Sequence, residues 1–168
     1  LLRQYCGGDP EYPVELAGIY DISSERAAAA RAEGIFAYES SERLMADDSV
    51  DAVLIATPND VHAQYVERAA AAGKHIICEK PVGLGLRQAE HMYACAESAG
   101  VVFEVHQNRR WDDDFLTVKN IYDHREHIGD VYRIESRVMG GNGIPGDWRK
   151  RAAQGGGMML DWGVHLID

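Results

Sequence analysis

Between residues 52 and 105 the chain alternates short apolar runs with alanine-rich helical stretches, and each stretch closes on a glycine. Ala52-Val53-Leu54-Ile55-Ala56 leads through Thr57-Pro58-Asn59-Asp60 to a helical segment over 61–72 that stops at Gly73. Ile76-Ile77-Cys78 leads through Glu79-Lys80-Pro81 to a second over 86–99 that stops at Gly100, followed by Val101-Val102-Phe103-Glu104-Val105. Few folds accommodate such a pattern. Strands of this length alternating with helices of ten residues or more predict βαβ units and a parallel sheet. The handedness of such crossovers makes a doubly wound α/β sheet the expected architecture. The continuous run 52–56 predicts a strand buried on both faces.

Upstream, residues 14–20 form an apolar run ending at Asp21, and Ser23 or Ser24 is placed to cap a helix that reaches about Glu33 before Gly34. Phe36-Ala37-Tyr38 predicts a brief strand, and residues 41–46 a short helix. The character changes after His106. A charged stretch, Arg109-Arg110-Trp111-Asp112-Asp113-Asp114, precedes a helical segment over 115–122. Residues 131–138 then alternate with period two, the mark of a strand with one wet face. A glycine-rich segment over 140–146 and Trp148-Arg149 follow. These shifts predict two parts, residues 1–107 and residues 108–168.

Composition removes several classes of function. A formal net charge of -10 over 168 residues opposes nucleic acid and anionic membrane as partners. No apolar stretch is long enough to span a bilayer as a helix. The three cysteines, Cys6, Cys78 and Cys95, have no metal or redox spacing, which suits a reducing, cytoplasmic setting. The chain opens on Leu1-Leu2-Arg3-Gln4-Tyr5 and closes on Val164-His165-Leu166-Ile167-Asp168, both inside strong patterns, so we read it as an internal piece of a longer protein.

Candidate chemistry collects at the ends of the apolar runs. Lys80 follows a buried run and precedes a proline, which puts an ammonium at the carboxyl edge of the sheet, where open α/β folds bind ligands. A solvated Glu79-Lys80 pair is the competing reading. Asp21 ends the first visible run, where an acidic residue can accept hydrogen bonds from a ribose or merely favour a helix dipole. Thr57 and Asn59 offer a hydroxyl and an amide for neutral hydrogen bonds, with His62 in the first turn of the next helix; a plain turn with a capped helix start is the alternative. Near the end, Gly155-Gly156-Gly157 precedes Asp161 and His165, which share a face if helical and suit general acid–base chemistry. Gly163 costs such a helix roughly 1 kcal/mol unless something approaches closely. Asp161 and His165 also have zinc-ligand chemistry, but only Asp168 offers a third ligand, so no metal is assigned.

Taken in order, these stretches resemble the glucose–fructose oxidoreductase and inositol dehydrogenase (Gfo/Idh/MocA) family. The matches are Asp51-Ala52-Val53 to Asn59 with His62, Ala71-Ala72-Gly73-Lys74-His75 leading to Glu79-Lys80-Pro81, Asn108-Arg109-Arg110-Trp111-Asp112, and Gly155-Gly156-Gly157 to Asp161, Gly163, His165 and Asp168. The resemblance implies a Rossmann-type doubly wound parallel sheet, here lacking its first strand and glycine loop. It implies next the start of an α/β domain with an open, mainly antiparallel sheet that carries homo-oligomer contacts, as a dimer or tetramer. It implies NAD, with NADP possible, and a carbohydrate or polyol substrate oxidised or reduced at a hydroxyl. By the same resemblance Lys80, Asp161 and His165 are catalytic, with Lys80 also touching the nicotinamide ribose. Asp21 binds the adenosine ribose, Thr57, Asn59, His62 and Glu79 line the cofactor path, Asn108 sits near the nicotinamide, and Trp148-Arg149 reaches back to the cofactor. The missing glycine loop implies that this chain alone binds dinucleotide poorly.

An imidazole can take the proton of an alcohol near neutral pH, and an ammonium stabilises developing alkoxide charge. Two other readings share the residues: an NAD-dependent glycoside hydrolase of the same fold, and a non-catalytic nucleotide- or sugar-binding regulator.

Overall fold

The computed structural model describes residues 14–140, Gly143 and residues 146–168. Leu1 to Tyr5, Cys6, the Gly7-Gly8 pair and part of the glycine-rich segment over 140–146 lie outside the described residues. Two compact units divide at Val53 and Leu54.

In the first unit the strand expected over 14–20 contracts to a single parallel bridge between Ile19 and Ala37. Ile19 N donates to Phe36 O at 2.8 Å, and Tyr38 N donates to Ile19 O at 2.8 Å. Gly18 permits this approach, since a Cβ there would stand 2.7 Å from Phe36 O. Helix α1 (Ser24–Ala32) starts where Ser23 Oγ accepts from Arg26 N, and the chain leaves it through Gly34 at φ 76°. Helix α2 (Ser41–Met45) is capped in the same way by Ser40.

Strands β1 (Ala52–Ile55), β2 (His75–Glu79) and β3 (Phe103–His106) form a sheet of order β1-β2-β3. Strands β2 and β3 run parallel, with Ile76 opposite Phe103 and Glu79 opposite His106. Helix α3 (His62–Ala71) joins β1 to β2, and α4 (Leu86–Ala99) joins β2 to β3. Ala63, Val66, Ala69 and Ala70 are buried on one side of α3, and Met92 and Ala96 on one side of α4. Alanine lets the two helices approach closely, and Ile55, Ile76 and Cys78 of the sheet are buried. Burying a side chain the size of Ile76 or Met92 stabilises by about 1.5–3 kcal/mol.

The expectation of burial on both faces of β1 needs correction. Leu54 and Ile77, which point the other way, are 42% and 43% exposed. Helices α3 and α4 cover one face only, so the strand shows the alternation of a half-covered sheet.

Beyond β3 come a 3₁₀ turn (Asn108–Trp111) and helix α5 (Asp113–Asp123). The strand expected over 131–138 is not formed among the described residues, and Tyr132 and Ile134 are largely exposed. Arg133 and Arg137 both pair with Glu135 at 2.5 Å. A strand needs a neighbour to accept its ladder hydrogen bonds. The open, mainly antiparallel sheet is accordingly absent among the described residues. Two 3₁₀ turns (Trp148–Lys150 and Ala152–Gln154), a π-helical turn (Met159–Gly163) and the short helix α6 (Val164–Ile167) follow further along the chain.

Candidate active site

Lys80 leaves the carboxyl end of β2 with its side chain mostly buried, and the Lys80–Pro81 peptide is cis. Its Nζ donates to the main-chain oxygen of Asp161 at 2.6 Å and to Asp161 Oδ1 at 3.2 Å. A π-helical turn displaces the regular i to i+4 ladder, and such turns are frequent at functional sites. Here the turn presents a carbonyl and a carboxylate of one residue to one ammonium. Arg149 Nε adds a weaker contact to the same carboxylate at 3.7 Å.

Gly163 fits the sequence expectation of a close approach: a Cβ there would stand 3.0 Å from Met159 Sδ. The glycine triplet has a local reason as well. Gly155 has φ 73°, and a Cβ on it would come within 2.3 Å of Leu84 Cδ2 and 2.9 Å of Asn59 Cβ. A Cβ on Gly156 would come within 2.2 Å of Arg149 O. Backbone thus passes where side chains cannot.

The expected pairing of Asp161 with His165 is corrected by these contacts. Asp161 spends its carboxylate on Lys80 and Arg149, while His165 Nδ1 is buried without a hydrogen-bond partner. Burial, with the charges of Lys80 and Arg109, holds the His165 imidazole below its ordinary pKa, and the opposing pull of Asp161 and Glu79 is the smaller.

Asn59 and His62 are also redirected. Rather than offering an amide to a ligand, buried Asn59 donates Nδ2–H to Gly155 O at 2.8 Å. His62 is fully buried, with Nδ1 3.0 Å from Pro81 O and Nε2 3.0 Å from Thr57 O. It bolts the turn after β1 to the turn after β2. Thr57 Oγ1 remains buried and unpartnered, as do Asp60 Oδ1 and Gln107 Oε1, so unspent polar atoms stand past the ends of β1 and β3. Glu79 Oε1 pairs with His106 Nδ1 at 2.9 Å across β2 and β3.

Asn108 opens the 3₁₀ turn after β3 and is exposed. Arg149 stacks over Trp148, its guanidinium carbon 4.6 Å from the ring centroid, and pairs with Asp147 at 2.7 Å. Asp168, the possible third metal ligand, accepts from Arg110 Nε at 2.6 Å and from a terminal guanidinium nitrogen of Arg110 at 2.5 Å. In the first unit, Asp21 Oδ1 accepts from Ser23 N at 2.8 Å, and Oδ2 pairs with Arg26 at 3.3 Å.

Sequence reasoning assigned no role to Arg109, and the structure supplies one. Its guanidinium lies 4.7 Å from the centre of the Trp162 ring and pairs with Asp112 at 2.7 Å, with Nε buried and unpartnered. An arginine pair directly after a strand in so acidic a chain is the signal that marks it.

Buried polar atoms without partners cost about 1–3 kcal/mol each unless something binds them. Those of Thr57, Gln107 and His165 fit a cofactor rich in hydroxyl and amide groups, such as a nicotinamide nucleotide.

Comparison with known proteins agrees. A model described as an oxidoreductase family with an NAD-binding Rossmann fold matches residues 3–107, and a Gfo/Idh/MocA C-terminal domain model matches residues 115–168. The solved structure of an NAD-binding protein from Listeria innocua is 50% identical with a TM-score of 0.88, covering 91% of this chain and 45% of its own. A 1,5-anhydro-D-fructose reductase of Ensifer adhaerens is 34% identical over 92% of this chain and 47% of its own length. An NADP-dependent scyllo-inositol 2-dehydrogenase of Bacillus subtilis is 30% identical over 76% of this chain and 36% of its own. The chain spans less than half the length of these relatives.

Proposed function

From the membership of this chain in the Gfo/Idh/MocA family of oxidoreductases with an NAD-binding Rossmann fold, we propose that the full-length protein transfers hydride between NAD(P) and a sugar, inositol or sugar-derivative hydroxyl. The observation that carries this reading is the setting of Lys80. Its ammonium is fixed at the carboxyl edge of the sheet by Asp161, near an imidazole whose Nδ1 has no protein partner. The relatives named for a sugar-derived and a cyclitol substrate support the substrate class.

The bound nicotinamide supplies the hydride acceptor or donor. Lys80 Nζ has three N–H donors, two of them spent on Asp161, and turns the third to the substrate oxygen. There it stabilises negative charge as the alcohol loses its proton. His165 Nδ1 takes that proton, and its depressed basicity keeps it neutral and ready near pH 7. In the reverse direction the imidazolium returns the proton. Asp161 positions the ammonium, and Arg109 shields the base from solvent through its stack on Trp162.

Thr57 and Glu79 face the cofactor, Asn59 and His62 hold the turns that shape its path, and Asn108 and Trp148-Arg149 border it. Asp21 binds the adenosine ribose. Its pairing with Arg26 offsets the repulsion of a 2′-phosphate, so the NAD preference is modest. The family models over 3–107 and 115–168 support a boundary between a partial cofactor domain, residues 1–107, and the beginning of a substrate domain, residues 108–168. We place the assembled protein among homodimers or tetramers with a small-molecule substrate, in the cytoplasm.

The test is turnover of NAD or NADP by the full-length protein against inositols, aldoses and sugar acids. Substrate-dependent formation of reduced nicotinamide supports the reading. Retention of NAD without net reduction, together with release of sugar from an aryl glycoside, overturns it.

A further inference from the structure

Away from the sheet's carboxyl edge, helices α3 and α4 bring a thiol, an imidazole and a carboxylate together. His91 and Cys95 lie one turn apart on α4, and Glu67 comes from α3. Glu67 Oε1 stands 3.0 Å from His91 Nε2, and Cys95 Sγ stands 3.7 Å from Nε2 and 4.0 Å from Nδ1 of the same ring. A nucleophile within hydrogen-bond reach of a base that is itself held by a third group is the arrangement that activates side-chain nucleophiles.

The trio borders a shallow groove whose other walls are Ala70, Ala71, Ala94 and Ala99, with Ser98 at its side. Those short side chains leave room beside the half-buried sulfur for a second sulfur and its substituent. Nothing in the sheet-edge site touches this groove. Cys78 provides the contrast: it is fully buried in β2, and burial followed by the charge of Glu79 pushes its thiol up to about 12. One chain thus holds an inert thiol and an accessible one backed by an imidazole.

We propose that Cys95, with His91 and Glu67, forms a thiol-modification site for low-molecular-weight disulfides. The Glu67 carboxylate accepts a hydrogen bond from Nε2–H of His91, which leaves the Nδ1 lone pair, 4.0 Å from Cys95 Sγ, for the thiol. His91 takes the thiol proton, and the Cys95 thiolate attacks one sulfur of the disulfide. The new Cys95 S–S bond forms as the original S–S bond breaks. The departing thiolate recovers the proton from the His91 imidazolium and leaves as a free thiol. Cys95 is oxidised, one half of the disulfide is reduced, and no further oxidant enters. The proposal does not depend on the dehydrogenase reading.

The test exposes the full-length protein to glutathione disulfide near pH 7 and follows each cysteine by peptide mass mapping, which separates Cys95 from Cys6 and Cys78. An ordinary thiol is only a few per cent thiolate at that pH, so Cys95 is expected to form its mixed disulfide about tenfold faster than a free peptide of the same sequence. His91→Ala, at an exposed helical position, is expected to bring the rate down to that of the peptide, and Glu67→Gln part of the way. Dithiothreitol is expected to reverse the adduct. A rate equal to that of the peptide, or one unchanged by His91→Ala in a variant with native circular dichroism, overturns the proposal.

Discussion

Lys80 Nζ lies 2.6 Å from the main-chain oxygen of Asp161 and 3.2 Å from its Oδ1, an ion pair between residues 81 apart with both side chains mostly buried. Only the carboxylate half of that grip is sensitive to side-chain identity. Asp161→Asn keeps the backbone acceptor, so Lys80 is expected to stay in place with weaker charge balance. Asp161→Asn should therefore lower kcat by less than Lys80→Ala does, with KM for the cofactor little changed. Steady-state kinetics of the two variants in the full-length protein check this.

His165 is depressed in basicity by burial and by the positive charges of Lys80 and Arg109. As the proton acceptor it works when neutral, so the acid limb of the pH profile of kcat/KM is expected below the ordinary histidine range. Removing a positive neighbour makes the imidazolium easier to form. Arg109→Ala should thus move the limb upward, towards higher pH, and Asp161→Asn should move it downward. A profile unmoved by Arg109→Ala, with His165→Ala still active, would contradict the assignment.

The linkage sign for folding is the same. A histidine depressed in the folded state binds more protons when unfolded, so its contribution to stability is full above its unfolded value. That contribution is lost as pH falls below that value. His165→Gln should flatten this part of the pH dependence in urea melts.

Gly155 and Gly73 make a matched pair. Both have positive φ, 73° and 70°, but a Cβ at Gly73 meets nothing within 4 Å while one at Gly155 strikes Leu84 and Asn59. Gly73→Ala is expected to cost about 1–2 kcal/mol, the ordinary penalty for a left-handed residue with a side chain. Gly155→Ala should cost more and separate Asn59 from the glycine turn. Urea denaturation of both variants measures the difference.

His62 joins the Thr57 and Pro81 carbonyls from a fully buried position. His62→Phe keeps the bulk and removes the ring's N–H donor, at about 1–3 kcal/mol for the carbonyl left without a partner. The expected result is a lower urea midpoint, together with a raised KM for the cofactor because both turns loosen.

What the sequence makes legible follows physical range. The helix over 24–32 and the strand–turn–helix units from 52 to 106 are readable because the Ser23 cap, the apolar runs and the glycine stops act within a few residues. The family is readable because Lys80, Asp161 and His165 sit in ordered motifs. What Asn59 and His62 bond to is not readable, since Asn59 finds Gly155 across 96 residues and His62 finds Pro81 through the packing of two turns. Nor is the exposure of Leu54 and Ile77 among the described residues, because a buried-looking run such as 52–56 records what could cover it and not what does. The segment over 131–138 has no partner strand among the described residues, and local pattern cannot supply one.

The most direct measurement of the central claim is the formation of reduced nicotinamide by the full-length protein and by Lys80→Ala on the same polyol and sugar panel. The account predicts substrate-dependent reduction of NAD or NADP that falls roughly 10²- to 10³-fold in the variant, the cost typical of losing one charge-stabilising donor. Equal turnover by Lys80→Ala, with cofactor affinity unchanged, would contradict it.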